Sequence, residues 1–323
     1  NNATTRVHPG VLEAMVPFYA DFYGNPSSAY RFGSQVKNAL ATAAEQVAAL
    51  IGVQPDEIVF TSCGTESDNT AIWSGLQLDR RKNHVITTAA EHSAILKQCA
   101  HLKKKGFKST LVKVDSSGAV DLDGLRKAIR PETAVVSVMW ANSETGVISD
   151  IESVVGIAPE AGVLLHSDAV QAAGKIPLNL GNLPIHYASF SGHKLHAPKG
   201  IGVLYVKRDT RFQPYLIGGS QQGGNRAGTE DVACIVARGQ AAELARRALE
   251  DSAGDDLRQL RDHFEKGILA QVAEVAVNGD PARRKTAIEV GSEPTVVELD
   301  VVAIIRAQHQ SGIPIVHRRG CAG

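Results

Sequence analysis

Residues 188–200 read Ala188-Ser-Phe-Ser-Gly-His-Lys-Leu-His-Ala-Pro-Lys-Gly200. The apolar, β-prone run from Ile185 to Phe190 predicts a buried strand, which gives way to Ser191-Gly192-His193-Lys194. A lysine just past a strand end, beside glycine, serine and histidine, sits where α/β sheets place their ligands. Desolvation there favours loss of the ammonium proton, and the free amine is a nucleophile towards an aldehyde. The competing reading is an ordinary surface lysine at a turn. This stretch alone fits both.

The rest of the chain narrows the choice. Its 323 residues suit two domains, or one large domain with an appendage. Lys+Arg 34 balances Asp+Glu 34, which argues against direct nucleic-acid binding or a polybasic membrane surface. No apolar run is long enough to span a bilayer. The chain opens on Asn1-Asn2-Ala3-Thr4-Thr5 with neither methionine nor a signal-peptide core, so a few leading residues are expected to be missing. Cys63, Cys99, Cys234 and Cys321 show no metal-ligand spacing, so no metal site is expected and a reduced, cytoplasmic setting is.

Helical and strand-like patterns alternate. Residues 9–23 and 34–51 have helical spacing, the latter stopped by Gly52. Short β runs follow at 57–61, 84–88, 110–114, 134–139 and 163–166, the last ending at Ser167-Asp168, and 201–206 predicts a strand returning after the lysine loop. A helical pattern after Ser62-Cys63-Gly64-Thr65-Glu66-Ser67 runs to about Leu76, and 231–273 predicts one or two more helices. This alternation predicts an α/β fold with a mostly parallel sheet covered by helices. From Thr286 on, β runs and a helix-like 296–308 suggest a smaller α+β unit. The glycine-rich loop 218–229 lacks the setting of a dinucleotide fingerprint. It suits either approach to a phosphate or a plain surface loop.

If Lys194 holds an aldehyde cofactor, pyridoxal phosphate sets further demands. Its ring nitrogen needs a carboxylate, and Asp168 stands at a strand end. An aspartate there also serves as an ordinary helix cap. Its phosphate needs backbone N–H groups at a helix start, which Gly64 and Thr65 offer, although a capping turn uses the same residue types. His92 suits stacking on the ring, or simple exposure.

Taken together, Asn1–Thr5, Gly24-Asn-Pro-Ser-Ser28, Thr61-Ser-Cys-Gly-Thr-Glu-Ser67, Glu91-His92, Ser167-Asp-Ala-Val-Gln171, Ser189-Phe-Ser-Gly-His-Lys194 and Arg226-Ala-Gly-Thr229 carry a resemblance. The chain resembles the pyridoxal-phosphate-dependent cysteine desulfurases of the nitrogen-fixation and iron–sulfur type, in the class-V aminotransferase family. The likeness is nearly continuous to about Asp231 and thin beyond Asp280. It implies fold type I, with a large domain over 9–250 and a small one made of 251–323 plus residues 1–8. It implies that Lys194 carries the cofactor, Asp168 pairs with its ring nitrogen, Gln171 bonds its ring hydroxyl and His92 stacks on it. Gly64, Thr65, Ser191 and His193 would hold the phosphate. Thr229 would reach the phosphate of a second subunit, which makes a homodimer.

The implied substrate is L-cysteine, with sulfur passed to an enzyme cysteine and then to an acceptor protein. The end uses such enzymes serve are iron–sulfur assembly, tRNA thiolation and DNA phosphorothioation. Three departures stand out. Ser143 takes the place of an asparagine against the cofactor. Cys321, in Val316-His-Arg-Arg-Gly-Cys-Ala-Gly323, is the candidate attacking thiol but matches neither group's loop fully, and Cys63 competes with it. The substrate-binding arginine segment has no match: either the protein continues past Gly323, which is the expectation, or Arg318 or Arg319 substitutes. The alternatives are a related aminotransferase or selenocysteine lyase, and a non-catalytic cofactor-bound scaffold.

Overall fold

Proline, glycine and strand-forming runs place the element boundaries. The computed structural model describes residues 2–251, 253–271, 277, 279–280 and 282–284. The helix-like run over 9–23 divides into α1 (Pro9–Met15) and α2 (Pro17–Ala20). Pro17 has no N–H to continue the first helix, but suits the first turn of the next. α3 (Arg31–Ile51) ends at Gly52, whose φ of 68° is the left-handed value that glycine adopts freely. Then come β1 (Ile58–Thr61), α4 (Gly64–Gln77), β2 (His84–Thr88), α5 (Ser93–Lys104), β3 (Lys108–Val112), α6 (Leu122–Ala128) and β4 (Thr133–Ser137). α7 (Ile151–Val155), β5 (Leu164–Asp168), β6 (Tyr187–Ser191), β7 (Gly202–Val206), α8 (Val232–Glu250) and α9 (Ala253–Gln271) complete the described part. The β runs and helix expected from Thr286 on lie outside the described residues.

The seven strands form one sheet in the order β1-β7-β6-β5-β4-β2-β3. Neighbours from β6 to β3 pair in parallel, while β7 runs antiparallel to both β6 and β1. β1 therefore points the same way as the parallel block, and its C-terminal end opens on the same edge. The expected mostly parallel sheet is present, and β7 is its returning strand.

Helices cover both faces. On one, Ile72 and Leu76 of α4 and Ile95, Cys99 and Leu102 of α5 pack on Val85 and Val135. Gly75 lets α4 lie close to the sheet, since a Cβ there would stand 2.1 Å from Val135 Cγ2. On the other, Val47 and Ile51 of α3 and Ala237 and Ala241 of α8 share a core with Phe60, Phe190 and Tyr205. Each large side chain so buried stabilises the fold by about 1.5–3 kcal/mol. The exposed edge of β1 is closed by the glycine-rich loop, where Gln222 Oε1 accepts from the N–H of Phe60 at 3.1 Å.

Candidate active site

A cavity of about 360 Å³ opens at the C-terminal ends of β1, β5 and β6 and the loop after β2. Gly64, Thr65, His92, Ser143, Asp168, Gln171, Ser191, His193 and Lys194 all line it. Sequence distance disappears here because parallel strands bring their C-terminal ends to one edge. Thr229 is exposed and outside the lining, and Cys321 lies outside the described residues.

Lys194 ends a tight turn after β6, and its Nζ donates to the carbonyl oxygens of Asn2 and Ala3. Residues 2–8, expected with the smaller domain, run along this loop. Thr5 N donates to His193 O at 2.9 Å, His196 N to Thr5 Oγ1 at 2.8 Å, and His8 N to His196 O at 3.1 Å. These bonds hold His196 at φ 58°, a left-handed conformation uncommon for a residue with a side chain.

Asp168 is the last residue of β5, and its Oδ1 accepts from Val170 N at 3.0 Å. It caps its own turn and lines the cavity, so both sequence readings hold in part. Gln171 Nε2 donates to Asn2 O at 3.2 Å, and Lys175 Nζ donates to its Oε1 at 2.5 Å. His92 caps α5, its Nδ1 accepting from Ala94 N at 3.2 Å. A neutral ring in that arrangement carries its proton on Nε2. Ser143 faces the cavity because Asn142 is used elsewhere: its Oδ1 accepts from the N–H groups of Glu144 and Thr145, and its Nδ2 donates to Ala90 O.

α4 begins with Cys63 at its cap, which makes no side-chain capping bond. The first-turn N–H groups are thus left to an anion. Glu66 in this turn is held by Arg226 of the glycine-rich loop, at 2.9 Å from Nε to Oε1. Burial pushes the Glu66 carboxyl up, but Arg226 and Ser62 outweigh it and leave it below its ordinary value. Burial, then the charges of Lys194, Lys199 and Lys175, holds the His193 imidazole below its usual range.

Beneath the cavity lie groups that sequence reading missed. Asp68, one turn into α4, is 1% exposed and its Oδ1 has no hydrogen-bond partner among the described residues. Burial and then the charge of Asp168 push its carboxyl up. Burial also raises Asp168, against the pull of the Val170 N–H, His92 and Lys194. Glu91 is pushed to about 8 by burial and His166 down to about 3 by the same cause. The signal for Asp68 was present: a carboxyl one turn past Gly64 on a helix lying over a sheet. The quoted motif stopped one residue short of it, at Ser67. Cys63, Asn2, Ala3, Met139 and Val170 also line the cavity. Cys99 and Cys234 are buried in helices, where burial pushes each thiol up to about 11.

This donor set fits pyridoxal phosphate. It supplies an amine, a buried carboxylate, an imidazole and an uncapped helix start at one opening. A Cβ on Gly64 would lie 3.0 Å from Val170 Cγ2 and 3.4 Å from Ser191 Cβ, so a side chain there would crowd the cradle.

The comparisons with known proteins agree with this geometry. The class-V aminotransferase family model matches residues 1–312. Cysteine desulfurase 2 of Trichormus variabilis is 50% identical over 284 residues, covering 88% of this chain and 71% of the relative. Among solved structures, a NifS-like protein superposes with a TM-score of 0.84 at 40% identity, covering 88% of this chain and 78% of that one. SspA in complex with cysteine gives a TM-score of 0.72 at 37% identity, covering 75% and 71%. The chain belongs to the class-V aminotransferases and, within them, to the cysteine desulfurase family.

Proposed function

We propose that the chain takes sulfur from L-cysteine, releases L-alanine and keeps the sulfur as a persulfide on one of its own cysteines. The carbon–sulfur bond of the substrate breaks, a sulfur–sulfur bond forms, and the thiol's proton balances the alanine. The convergence of Lys194, Asp168 and His92 on one cavity carries this reading. The likeness to SspA, a structure holding cysteine, supports the substrate.

Pyridoxal phosphate, when bound, supplies the electron sink that lets the carbon–sulfur bond beside Cα break. Lys194 would hold it covalently, with the Asn2 and Ala3 carbonyls orienting the amine. Asp168 would place its negative charge at the ring nitrogen. The first-turn N–H groups of Gly64 and Thr65, with Ser191 and His193, would hold the phosphate. His92 would cover the ring and donate its proton from Nε2. Gln171 and Ser143 would contact the ring hydroxyl and its surroundings. Exposed Thr229, on a loop pinned by Arg226 to α4, would complete the phosphate site of a second copy in a homodimer. Cys321 would attack the substrate sulfur, helped by His317, Arg318 and Arg319, because nearby cations favour a thiolate. A sulfur-acceptor protein would then take the persulfide, towards iron–sulfur clusters, thiolated tRNA or phosphorothioated DNA. Among the described residues no helix is long and apolar enough to cross a membrane, and we place the protein in the cytoplasm.

The test is a turnover assay with L-cysteine and a reductant. Equal amounts of alanine and sulfide are expected, together with a visible cofactor band that borohydride abolishes. Lys194→Ala should lose both. Amino transfer to an added keto acid without sulfide would favour the aminotransferase alternative.

A further inference from the structure

Three carboxyls lie in the interior below the cavity: Asp68 on α4, Glu91 after β2 and Asp168 at the end of β5. A carboxylate oxygen of Asp68, one of Asp168 and a ring nitrogen of His92 all lie within 4.8 Å of one another. Two carboxylates that close, shielded from water, do not both stay ionised. Their surroundings differ. Asp168 accepts the Val170 N–H and feels the charges of Lys194 and His92. The titratable groups around Asp68 are Asp168, Glu91, Cys63, His92 and His166. The Ser189 hydroxyl beside Asp68 favours its ionised form.

Beside Asp68, His166 bridges two serine hydroxyls. His166 Nε2 meets Ser189 Oγ at 2.9 Å, and His166 Nδ1 meets Ser137 Oγ at 2.9 Å. His166 Nε2 stands 3.6 Å from Asp68 Oδ1, beyond hydrogen-bond range. His166, Ser137 and Ser189 have no exposed surface, and the imidazole is neutral near pH 7. A neutral imidazole has one donor and one acceptor. The serine–histidine–serine chain runs either way: with His166 Nδ1–H to Ser137 and Ser189 O–H to His166 Nε2, the Ser189 oxygen is left to accept from Asp68, and in the reverse sense Ser189 donates to Asp68.

Resting on the reading that Asp168 faces the ring nitrogen, we propose that Asp68 is a positioning residue that holds a proton and so leaves Asp168 as the one of the pair that is ionised beneath the cofactor. Asp68 touches none of the reacting atoms in this scheme and acts through Asp168. Asp168 Oδ1 accepts from the Val170 N–H, whereas Asp68 Oδ1 has no hydrogen-bond partner among the described residues, and burial and the Asp168 charge favour protonated Asp68 over the opposing pull of the Ser189 hydroxyl.

Infrared spectroscopy of the holoprotein near neutral pH, with aspartate carbon-13 labelled at the side-chain carboxyl, tests this. The expected result is a protonated-acid carbonyl band that moves with the label, which separates it from Glu91, and that is lost in Asp68→Asn. In Ser189→Ala the band should persist but shift, because the hydroxyl beside the carboxyl is gone; this variant decides if Asp68→Asn does not fold. In Asp68→Asn the pH midpoint of the lysine-linked visible band should match the wild type, since asparagine is also neutral. Absence of an aspartate-labelled band, its survival in Asp68→Asn, or a lowered midpoint there would each overturn the proposal. Cofactor uptake is read from visible absorbance in the same samples. Failure to take up cofactor counts against the functional reading, while the infrared band still reports Asp68.

Discussion

Gly202 of β7 faces the backbone of Cys63 so closely that a Cβ added to it would lie 2.5 Å from the Cys63 carbonyl carbon. It pairs with Thr61 on one side and Ser191 on the other, and so joins the helix start at Gly64 to the loop that carries Lys194. Gly202→Ala must push one of them outward. The expected cost is about 1–3 kcal/mol of stability, as for overpacking elsewhere. Cofactor affinity should fall by about tenfold for each 1.4 kcal/mol that reaches the cradle. Thermal unfolding and a cofactor titration measure both, and wild-type values for each would show that the backbone yields freely.

Glu91 gives a pH dependence with a definite sign. Its carboxyl stands at about 8 in the folded protein, from burial first and the Asp168 charge second, against an ordinary value of 4.5. Between these values the folded state holds a proton that the unfolded chain has released, so stability falls as pH rises. Buried His166, lowered to about 3, acts the opposite way below its ordinary 6.5. Glu91→Gln keeps an acceptor for the Met139 N–H, now 2.7 Å from Oε1. Urea unfolding at pH 6 and pH 8 should show the variant losing less stability than the wild type, by up to about 1.4 kcal/mol per pH unit. Parallel curves would refute the assignment.

Arg238 on α8 is 1% exposed, and its Nε and Nη1 have no hydrogen-bond partner among the described residues. Burial lowers its guanidinium to about 10. Replacing a poorly compensated buried charge with an apolar side chain of similar length stabilises by about 1–4 kcal/mol. Arg238→Met should therefore raise the melting temperature, and a lowered one would reveal a partner for the guanidinium.

Cys63 and Cys321 are separable by experiment. Cys63 lines the cavity at the cap of α4, while Cys321 stands after His317, Arg318 and Arg319. Cys321→Ser should stop persulfide formation and keep the cofactor band, because holding the cofactor needs no thiol. Cys63→Ser should keep both. Mass spectrometry after one turnover locates the sulfur, and a persulfide on Cys63 would reverse the assignment.

Lys194, Asp168 and His92 were legible because each follows a β-prone run, and a parallel sheet converts that local fact into a shared location. The strand runs were legible for the same reason. Other features were not, and each has a physical cause. A carboxyl inside a helix looks like part of a solvated face, so Asp68 passed unnoticed although it is buried. The bonds of Thr5 to His193 and His196 join residues far apart in sequence, and no local pattern reports them. Pro17 did mark the break between α1 and α2, but the apolar spacing across it suggested one helix.

The place of β7 between β1 and β6 has a consequence for how the protein is made. Among the described strands β1 has only β7 as a neighbour, and β7 is the last of them to leave the ribosome. Contacts between distant segments form late, because a long loop must close first. A nascent chain that has reached Lys194 already holds Asp168 and the amine, yet β1 still has no strand to join. Seating of the phosphate helix waits for β7. Capacity to hold the cofactor should therefore arise late in synthesis, and until then β1 is an unpaired edge that a chaperone or a second nascent chain can reach.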